Sequence, residues 1–383
     1  MKGSRRRWFR AVMLGLCIWS VYILYKNTEN LFSSSVQKVD TQGGHPGRGF
    51  FKEPIPCDTT NPCQPKAHTK VILLTYMRSG STLTGDILSA HPDVFYFFEP
   101  LHFMSKEKHT VFDYLRQRQK RVGHIHKSYI TKLTMSALLN CDFVKMDIDT
   151  LSVFHLQFSR TTKPYYNCLT AYPGVQGVFL CLQHLYRACY SAKVLLTKTV
   201  SLSGIITKDL MDSDSKLRVI HLIRDPRATI WSEGRFYVYK QTDFEKFVGT
   251  FCKRLLTDLQ TTEAIKEKDP SRVHTVLFEH LAERPLSLSR QLYNVLNLPM
   301  MPSVLKHIRN VTMEGHNQNC SMCISKANSA RASQEWRLHL DYKKVQFIDE
   351  ECQEAYDYLG YKRVESKEVY TNLSIPLHTW PII

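Results

Sequence analysis

Short runs of apolar residues, each followed by a turn and a helical pattern, recur along the chain from about residue 70. Val71–Leu74 is a run of four apolar residues, which is typical of a buried strand in a parallel sheet. After it, Leu83, Ile87 and Leu88 recur at helical spacing. Further apolar runs predict strands at Val94–Phe98, Val194–Val200, Leu217–Ile223 and Val273–Phe278. This alternation predicts an α/β fold, a P-loop-like parallel sheet flanked by helices, with ligands at the carboxyl ends of the strands.

Three other segments carry different patterns. Phe244–Lys266 predicts a helix, and Glu279–Leu298 predicts a loop followed by a helix. The stretch Cys141–Tyr190 is irregular and contains four cysteines, so we expect it to form a loop-rich cover over the sheet.

The first strand–turn–helix segment predicts a cradle for an anion. Its turn reads Arg78, Ser79, Gly80, Ser81 and Thr82. The backbone N–H groups of the first helical turn have no helical partners, and the helix dipole favours negative charge there. The glycine lets the backbone approach the anion, while the hydroxyls and the guanidinium add donors. The pattern G-x-x-x-x-G-K-[ST] is absent, so the cradle suits a single phosphate better than a nucleoside triphosphate with magnesium.

A second segment, Leu217–Ser232, repeats this arrangement. Arg224 ends the predicted strand, Asp225 is a candidate N-cap, and Pro226 suits the first helical position. Ser232 follows Arg224 by eight residues, about two helical turns, so both side chains can approach one anion. Two anion sites on one sheet suit a nucleotide that is phosphorylated at both ends.

These two motifs, Thr-Tyr-Met-Arg-Ser-Gly-Ser-Thr and Ile-Arg-Asp-Pro-Arg-Ala-(x)3-Ser, resemble the two signatures of sulfotransferases. In that superfamily the first holds the 5′-phosphosulfate of 3′-phosphoadenosine 5′-phosphosulfate (PAPS), and the second holds its 3′-phosphate. The chain more narrowly resembles the Golgi Gal/GalNAc/GlcNAc 6-O-sulfotransferases, through His91–Pro100, Ala332–Arg337 and Tyr358–Tyr361. The resemblance runs in order from about Lys70 to about Lys362.

The resemblance implies three catalytic residues. Arg78 would stabilise charge on the departing phosphate, because a guanidinium remains protonated. Glu99, directly after a predicted strand, would be the general base, and His102 is the competing candidate. Lys198 would contact the bridging oxygen or the sulfate. The family often has an arginine three residues later, where this chain has Ser201, so an acceptor contact from that position is not expected.

The resemblance also implies a set of PAPS-binding residues. Ser333 matches a family element near the nucleotide, together with Trp336 and Arg337; a buried helix with a packed tryptophan is the structural alternative. Arg227 and Trp231 are further candidates for structural roles. The full predicted set is Arg78, Ser79, Gly80, Ser81, Thr82, Arg224, Ser232 and Ser333.

The predicted function is transfer of a sulfuryl group from PAPS to a sugar hydroxyl, the 6-O position of Gal, GlcNAc or GalNAc in a glycan or proteoglycan, without a metal. One alternative is a tyrosylprotein sulfotransferase, which shares the Arg-Ser-Gly-(Ser/Thr)-Thr cradle and a following His-Pro-(Glu/Asp)-Val. Another is a non-catalytic luminal glycan-binding protein. The Glu99–Pro100 pair and Ala332–Arg337 favour an enzyme with a sugar acceptor. The sugar and the oligomeric state stay open.

Charge and hydropathy at the N-terminus predict a membrane anchor. Basic residues precede an apolar run, Ala11–Tyr25, and place the N-terminus in the cytosol. We expect a cytosolic tail (1–10), a transmembrane signal anchor (11–25), a polar stem (26–66) and a single luminal sulfotransferase domain (67–383), in a type II Golgi membrane protein. The formal net charge of +16 favours acidic partners, but no nucleic-acid-binding motif is present.

Ten cysteines follow the predicted anchor, and an even number in an oxidising lumen predicts disulfides of undetermined connectivity. Cys320-x-x-Cys323 resembles half of a zinc site, but no second ligand pair has a recognisable spacing, which favours disulfides. Sequons at Asn310, Asn319 and Asn372 predict surface positions carrying N-glycans.

Overall fold

A computed structural model of the chain describes residues 68–102, 108–113, 118–123, 127–236, 243–313 and 328–379, with the backbone alone for 108–113 and 118–123. The predicted tail, anchor and stem lie outside the described residues, as do Asn319 and the Cys320-x-x-Cys323 pair. Within the described ranges, no helix has the length and apolar character needed to span a bilayer.

A five-stranded parallel sheet forms the centre of the fold, in the order β2-β5-β1-β6-β7. A separate antiparallel hairpin consists of β3 and β4. The strands are β1 (Thr69–Leu74), β2 (Val94–Phe98), β3 (Lys108–Asp113), β4 (Arg118–Gly123), β5 (Val194–Thr199), β6 (Leu217–Ile223) and β7 (Val273–Leu277). The predicted parallel α/β sheet is therefore confirmed, with each of its strands within one residue or two of its expected bounds.

Helices connect and cover the strands. In chain order the α-helices are α1 (Ser81–Ser89), α2 (Lys127–Leu139), α3 (Ile148–Leu151), α4 (Lys163–Ala171), α5 (Val175–Ser191), α6 (Gly204–Ser213), α7 (Pro226–Arg235), α8 (Phe244–Lys268), α9 (Phe278–Glu283), α10 (Pro285–Val295), α11 (Pro302–Thr312), α12 (Ser329–Ser333), α13 (Tyr342–Glu351), α14 (Gln353–Leu359) and α15 (Lys367–Thr371). Short 3-10 helices lie at Phe143–Lys145, Phe154–Phe158 and Glu335–Leu338.

Both faces of the sheet are packed, as the first apolar run predicts. Val71 and Leu73 of β1 belong to a core cluster that also contains residues of α1, α10 and α11. Ile72 and Leu74 point to the opposite face and pack with residues of α2 and α6. All four side chains are fully buried, because alternate residues of a central strand face opposite layers of helices.

Two predictions for the connecting segments are wrong. The stretch Cys141–Tyr190 is mostly helical, because Val178, Leu182 and Leu185 of α5 recur at helical spacing and bury one face of that helix. In Glu279–Leu298 the predicted helix is present as α10, but the predicted loop before it is wrong, because α9 occupies that position. Pro285 occupies the first turn of α10, where its missing N–H costs no hydrogen bond.

Three disulfides confirm the predicted pairing of cysteines within the described ranges. Cys141–Cys189 and Cys168–Cys181 join the helical cover, and Cys252–Cys352 joins α8 to the end of α13 across 100 residues. The sequon asparagines Asn310 and Asn372 are exposed, as expected.

Candidate active site

Four charged residues line up along the carboxyl edge of the sheet. Because β2, β5, β1 and β6 are neighbours in that order, the residues at their ends follow the order Glu99, Lys198, Arg78 and Arg224. Lys198 pairs in register with Phe98 on one side and with a β1 residue on the other. The chain runs from β1 to β2 on one side of the sheet, and from β6 to β7 on the other side. The cradle therefore lies at a topological switch point, where open α/β sheets bind ligands.

The predicted cradle is a tight left-handed turn between β1 and α1. Gly80 precedes the helix with a φ of 83°, and no side chain of the described residues caps the helix start. A Cβ atom at this position would lie 2.2 Å from the ring of Phe278, so only glycine fits. Arg78 also has a positive φ, 59°. The sparsely populated backbone at a ligand-facing turn is typical of a functional site.

The hydroxyls of the cradle differ in their surroundings. Ser79 is fully buried, donates to the carbonyl of Tyr76 at 2.7 Å, and lies 2.5 Å from the Thr75 hydroxyl. Its side chain therefore bonds inside the turn. Ser81 and Thr82 occupy the first two positions of α1, where the backbone N–H groups are free of helical acceptors.

Arg78 connects the two predicted phosphate sites. Its Nε donates to the Ser232 hydroxyl at 3.1 Å, and its carbonyl accepts from Nη1 of Arg224 at 3.0 Å. The guanidinium also lies 4.0 Å above the ring of Phe236. Burial and the charge of Arg224 lower the pKa of Arg78 from its usual value. Two guanidinium groups held this close repel one another, and an anion between them relieves that repulsion.

Arg224 carries an open donor of its own. Its Nε is buried and has no hydrogen-bond partner among the described residues. A buried donor without a partner is costly, and a phosphate oxygen is a suitable acceptor for it. Burial lowers the pKa of Arg224, partly opposed by Glu279 and Asp225. The charge and the open donor fit the predicted 3′-phosphate site.

Arg227, three residues later, has a structural role. It is fully buried and contacts Asp225 at 2.8 Å and Asp349 at 3.0 Å, and it donates to the carbonyl of Lys362. Asp225 also accepts from the backbone N–H of Arg227 and caps α7, as the sequence predicts. The pKa of Arg227 is raised, because these carboxylates outweigh the effect of burial.

Glu99 and Lys198 form a buried ion pair at the other side of the cradle. Lys198 Nζ lies 2.8 Å from Glu99 Oε1 and 4.0 Å from the centroid of the Phe98 ring. Glu99 has a φ of 52°, and its Oε2 accepts from the N–H of Val200 at 3.3 Å. Burial lowers the pKa of Lys198, although the pairing with Glu99 opposes this shift. A lysine so placed loses its proton more readily than one in water.

The competing base, His102, lies on the same segment. Its backbone N–H donates to the carbonyl of Glu99 at 3.2 Å, and its ring is exposed beside that of His155, with a centroid distance of 4.1 Å. Glu99 is therefore the more enclosed of the two groups and the one in direct contact with Lys198.

The C-terminal family element is mainly structural. Trp336 is buried in the core, and Arg337 donates to the carbonyls of four residues in the C-terminal segment, Val369, Tyr370, Asn372 and Ile375. Ser333 donates to the carbonyl of Ala330 at 2.7 Å and lines a cavity of about 210 Å³. The same cavity is lined by three carboxylates, Asp225, Glu279 and Glu283, and by the guanidinium of Arg337.

A buried polar network below the cradle was not predicted. The Tyr76 hydroxyl donates to Asp258 at 3.1 Å and lies 3.1 Å from His221 Nε2. Asp258 accepts from the N–H of Gly204 at 2.6 Å, and Arg254 donates to the carbonyl of Val200 at 2.8 Å. The network joins the cradle turn to the loop after Lys198. Its signal in the sequence is the four-residue spacing of Arg254, Asp258 and Thr262 along α8.

Solved structures align with about three quarters of this chain at low sequence identity. One is a sulfotransferase domain from the curacin biosynthetic pathway, with a TM-score of 0.42 and 19% identity, covering 76% of this chain and 98% of that chain. Another is retinol dehydratase in a complex with retinol and PAP, with a TM-score of 0.39 and 14% identity, covering 76% and 82%.

Several curated proteins align with most of this chain. Carbohydrate sulfotransferase 4 of Mus musculus is 26% identical over 343 residues, 80% of this chain and 85% of that protein. Carbohydrate sulfotransferase 6 of Homo sapiens is 27% identical over 356 residues, 83% and 87%. The family model described as the sulfotransferase domain matches residues 68–360, which include both phosphate motifs, Glu99 and Lys198. The chain therefore belongs to the sulfotransferase family.

Proposed function

We propose that this protein transfers a sulfuryl group from PAPS to the 6-hydroxyl of galactose, N-acetylglucosamine or N-acetylgalactosamine in a glycan or proteoglycan. The observation that carries the proposal is the row of charges at the sheet edge, with the Glu99–Lys198 pair beside Arg78 and Arg224. The names of the aligned proteins, carbohydrate sulfotransferases, support a sugar as the acceptor class.

PAPS would span the two strand–turn–helix corners. The cradle residues Arg78, Gly80, Ser81 and Thr82 would hold the 5′-phosphosulfate through backbone N–H groups and a charged side chain. Arg224 and Ser232 would hold the 3′-phosphate, and the unpartnered Nε of Arg224 supports this role. For Ser79 and Ser333, the proposed role in binding PAPS rests on family resemblance.

The chain's own residues supply the chemistry of transfer. Glu99 takes the proton of the acceptor hydroxyl, whose oxygen forms a bond to sulfur. The bond from sulfur to the bridging oxygen breaks, and its electron pair leaves with adenosine 3′,5′-bisphosphate. Arg78 and Lys198 stabilise the negative charge that develops on that leaving group. Because these groups supply the charge and the base, the scheme uses no metal ion.

The proposed site of action is the Golgi lumen, with the N-terminus as a single-pass type II anchor. The exposed sequons Asn310 and Asn372 and the three disulfides support an oxidising compartment where N-glycans are attached.

The test uses the full-length chain in detergent with radiolabelled PAPS. Acceptors are short glycans that end in each of the three sugars, matched 6-deoxy glycans as controls, and tyrosine peptides. We expect label on the sugars and none on their 6-deoxy counterparts. Label on 6-deoxy sugars would contradict the 6-O position, and a preference for tyrosine peptides would replace the acceptor class.

A further inference from the structure

Five aromatic rings from three chain segments form a cluster beside the Glu99–Lys198 pair. Phe98 ends β2, His102 follows it, and Phe154, His155 and Phe158 belong to the 3-10 helix Phe154–Phe158. The centroid distances are 5.5 Å from Phe98 to His155, 5.7 Å from Phe98 to Phe158, and 4.1 Å from His102 to His155.

The outer rings of this cluster are open to solvent. Phe154 is 46% exposed and Phe158 is 43% exposed, although each packs against His155 on one side. Leu156, between them, is fully buried in the core. The short helix thus already has an inward anchor, so packing alone does not account for two phenylalanines on its outer face.

The exposed rings are continuous with the catalytic pair. Phe98 contacts Phe158 on one side, and on the other it lies 4.0 Å below Lys198 Nζ, which is bonded to Glu99. The ring of Phe98 therefore separates a molecule that rests on Phe154 and Phe158 from the Glu99–Lys198 pair. Two rings offer far less surface than the roughly 800 Å² per partner of a stable protein interface, which favours a small ligand.

His155 contributes a polar ring to the aromatic cluster. Its Nδ1 is buried and has no hydrogen-bond partner among the described residues. Burial, with the nearby His102 and Lys198, lowers the pKa of His155 to about 4, so its imidazole is neutral at neutral pH. The ring that packs against Phe154 and Phe158 therefore carries no charge at neutral pH.

We propose that Phe154 and Phe158 form a platform for the acceptor, on which one face of a pyranose ring packs. This inference rests on the proposed function and names the acceptor subsite. A pyranose presents a face of C–H groups, which are positively polarised and suit the negative face of an aromatic ring. The platform then holds the acceptor beside the Glu99–Lys198 pair, where the proton is taken.

The test measures steady-state kinetics of the full-length chain with Phe154→Ala, Phe158→Ala, and the Tyr and Leu variants at both positions. Loss of a ring contact should raise KM for the glycan acceptor about threefold to tenfold per Ala substitution. The Tyr variants should retain a wild-type KM, since they keep the ring. The Leu variants should resemble Ala, since they keep apolar volume but lose the aromatic face. The KM for PAPS and kcat at saturating acceptor should stay within twofold.

Tyr358→Ala is the matched control, because Tyr358 is a 50% exposed aromatic residue on α14. Its acceptor KM should not change. Affinity for adenosine 3′,5′-bisphosphate shows whether a variant is folded. If an Ala variant loses this affinity, the acceptor KM of the Leu variant at the same position tests the proposal. An unchanged acceptor KM in both Leu variants, while the wild type sulfates sugars, overturns the platform alone. A wild type that sulfates no sugar overturns the proposed function and, with it, this subsite.

Discussion

The two strand–turn–helix corners of the sheet share one local architecture but leave different groups open. At the first corner, between β1 and α1, Gly80 starts the helix and no described side chain caps it. At the second, between β6 and α7, Asp225 caps the helix and Pro226 occupies its first turn. Asp225 is in turn paired with the buried Arg227.

This difference determines how each corner can bind an anion. The first corner keeps its helix N-terminus available, so under the proposed function it would bind the anion through backbone N–H groups. The second satisfies its own N-terminus with a carboxylate, so only the side chains of Arg224 and Ser232 remain for a ligand. Anion affinity at the first corner should therefore depend on the shape of the turn. At the second corner it should depend on individual side chains.

The proposed proton acceptor, Glu99, belongs to neither corner and follows a third strand, β2. Glu99→Gln keeps the shape and removes the basic oxygen, so turnover should fall by about a hundredfold or more. Single-turnover kinetics with labelled PAPS measure this, and affinity for adenosine 3′,5′-bisphosphate should persist. His102→Ala is the control and should lose less. A larger loss in the His102 variant would transfer the role of base to that residue.

The second corner contains two arginines whose removal should change different properties, nucleotide affinity and stability. Arg224→Ala should lower affinity for adenosine 3′,5′-bisphosphate about tenfold to a hundredfold, since it removes a charge-assisted contact. Arg227→Ala should instead lower the free energy of unfolding by about 3–5 kcal/mol, because Asp225 and Asp349 lose their buried partner. Calorimetric titration and urea unfolding separate the two effects. Normal nucleotide affinity in a folded Arg224 variant would contradict the 3′-phosphate assignment.

At the first corner, Gly80→Ala should weaken bisphosphate binding by about tenfold, since a positive φ and contact with Phe278 force the turn to shift. The matched control is Gly174→Ala, because Gly174 also has a positive φ, 91°, but its added Cβ would meet nothing within 4 Å. That variant should lose stability and keep its affinity. Equal effects of the two substitutions on binding would mean that backbone strain, and not the cradle shape, is being measured.

Glu233, beside Ser232, makes the second corner pH-sensitive. Burial raises the pKa of Glu233 to about 7, although Arg254 and Arg78 oppose the shift. The folded state then holds this proton more tightly than the unfolded state does, so stability falls as pH rises from about 5 to 7, by about 2 kcal/mol. Glu233→Gln should remove this contribution in urea unfolding at the two pH values. If the free energy of unfolding of the variant changes with pH as it does in the wild type, groups other than Glu233 cause the pH dependence.

Local sequence was sufficient for much of this site. The apolar run of β1, the glycine of the cradle and the Asp225-Pro226 start of α7 are short-range signals, because caps and turns depend on neighbouring residues. The helical cover does not follow from the sequence as directly, because the buried face of α5 includes Cys181 and Cys189 beside its aliphatic residues. Trp336 and Arg337 matched a family motif, yet their contacts are with the core and the C-terminal carbonyls.

Tertiary structure alone decided which distant residues meet. Glu99 and Lys198 are 99 positions apart in the numbering, and they pair because β2 and β5 are neighbours in the sheet. The aromatic platform likewise needs β2 packed against a short helix more than fifty residues later. A periodic pattern states which face of an element is buried, but strand order depends on the packing of the whole chain. The sequence therefore determined the charged groups at the candidate site of this sulfotransferase, and the order of its strands determined that they meet at one edge.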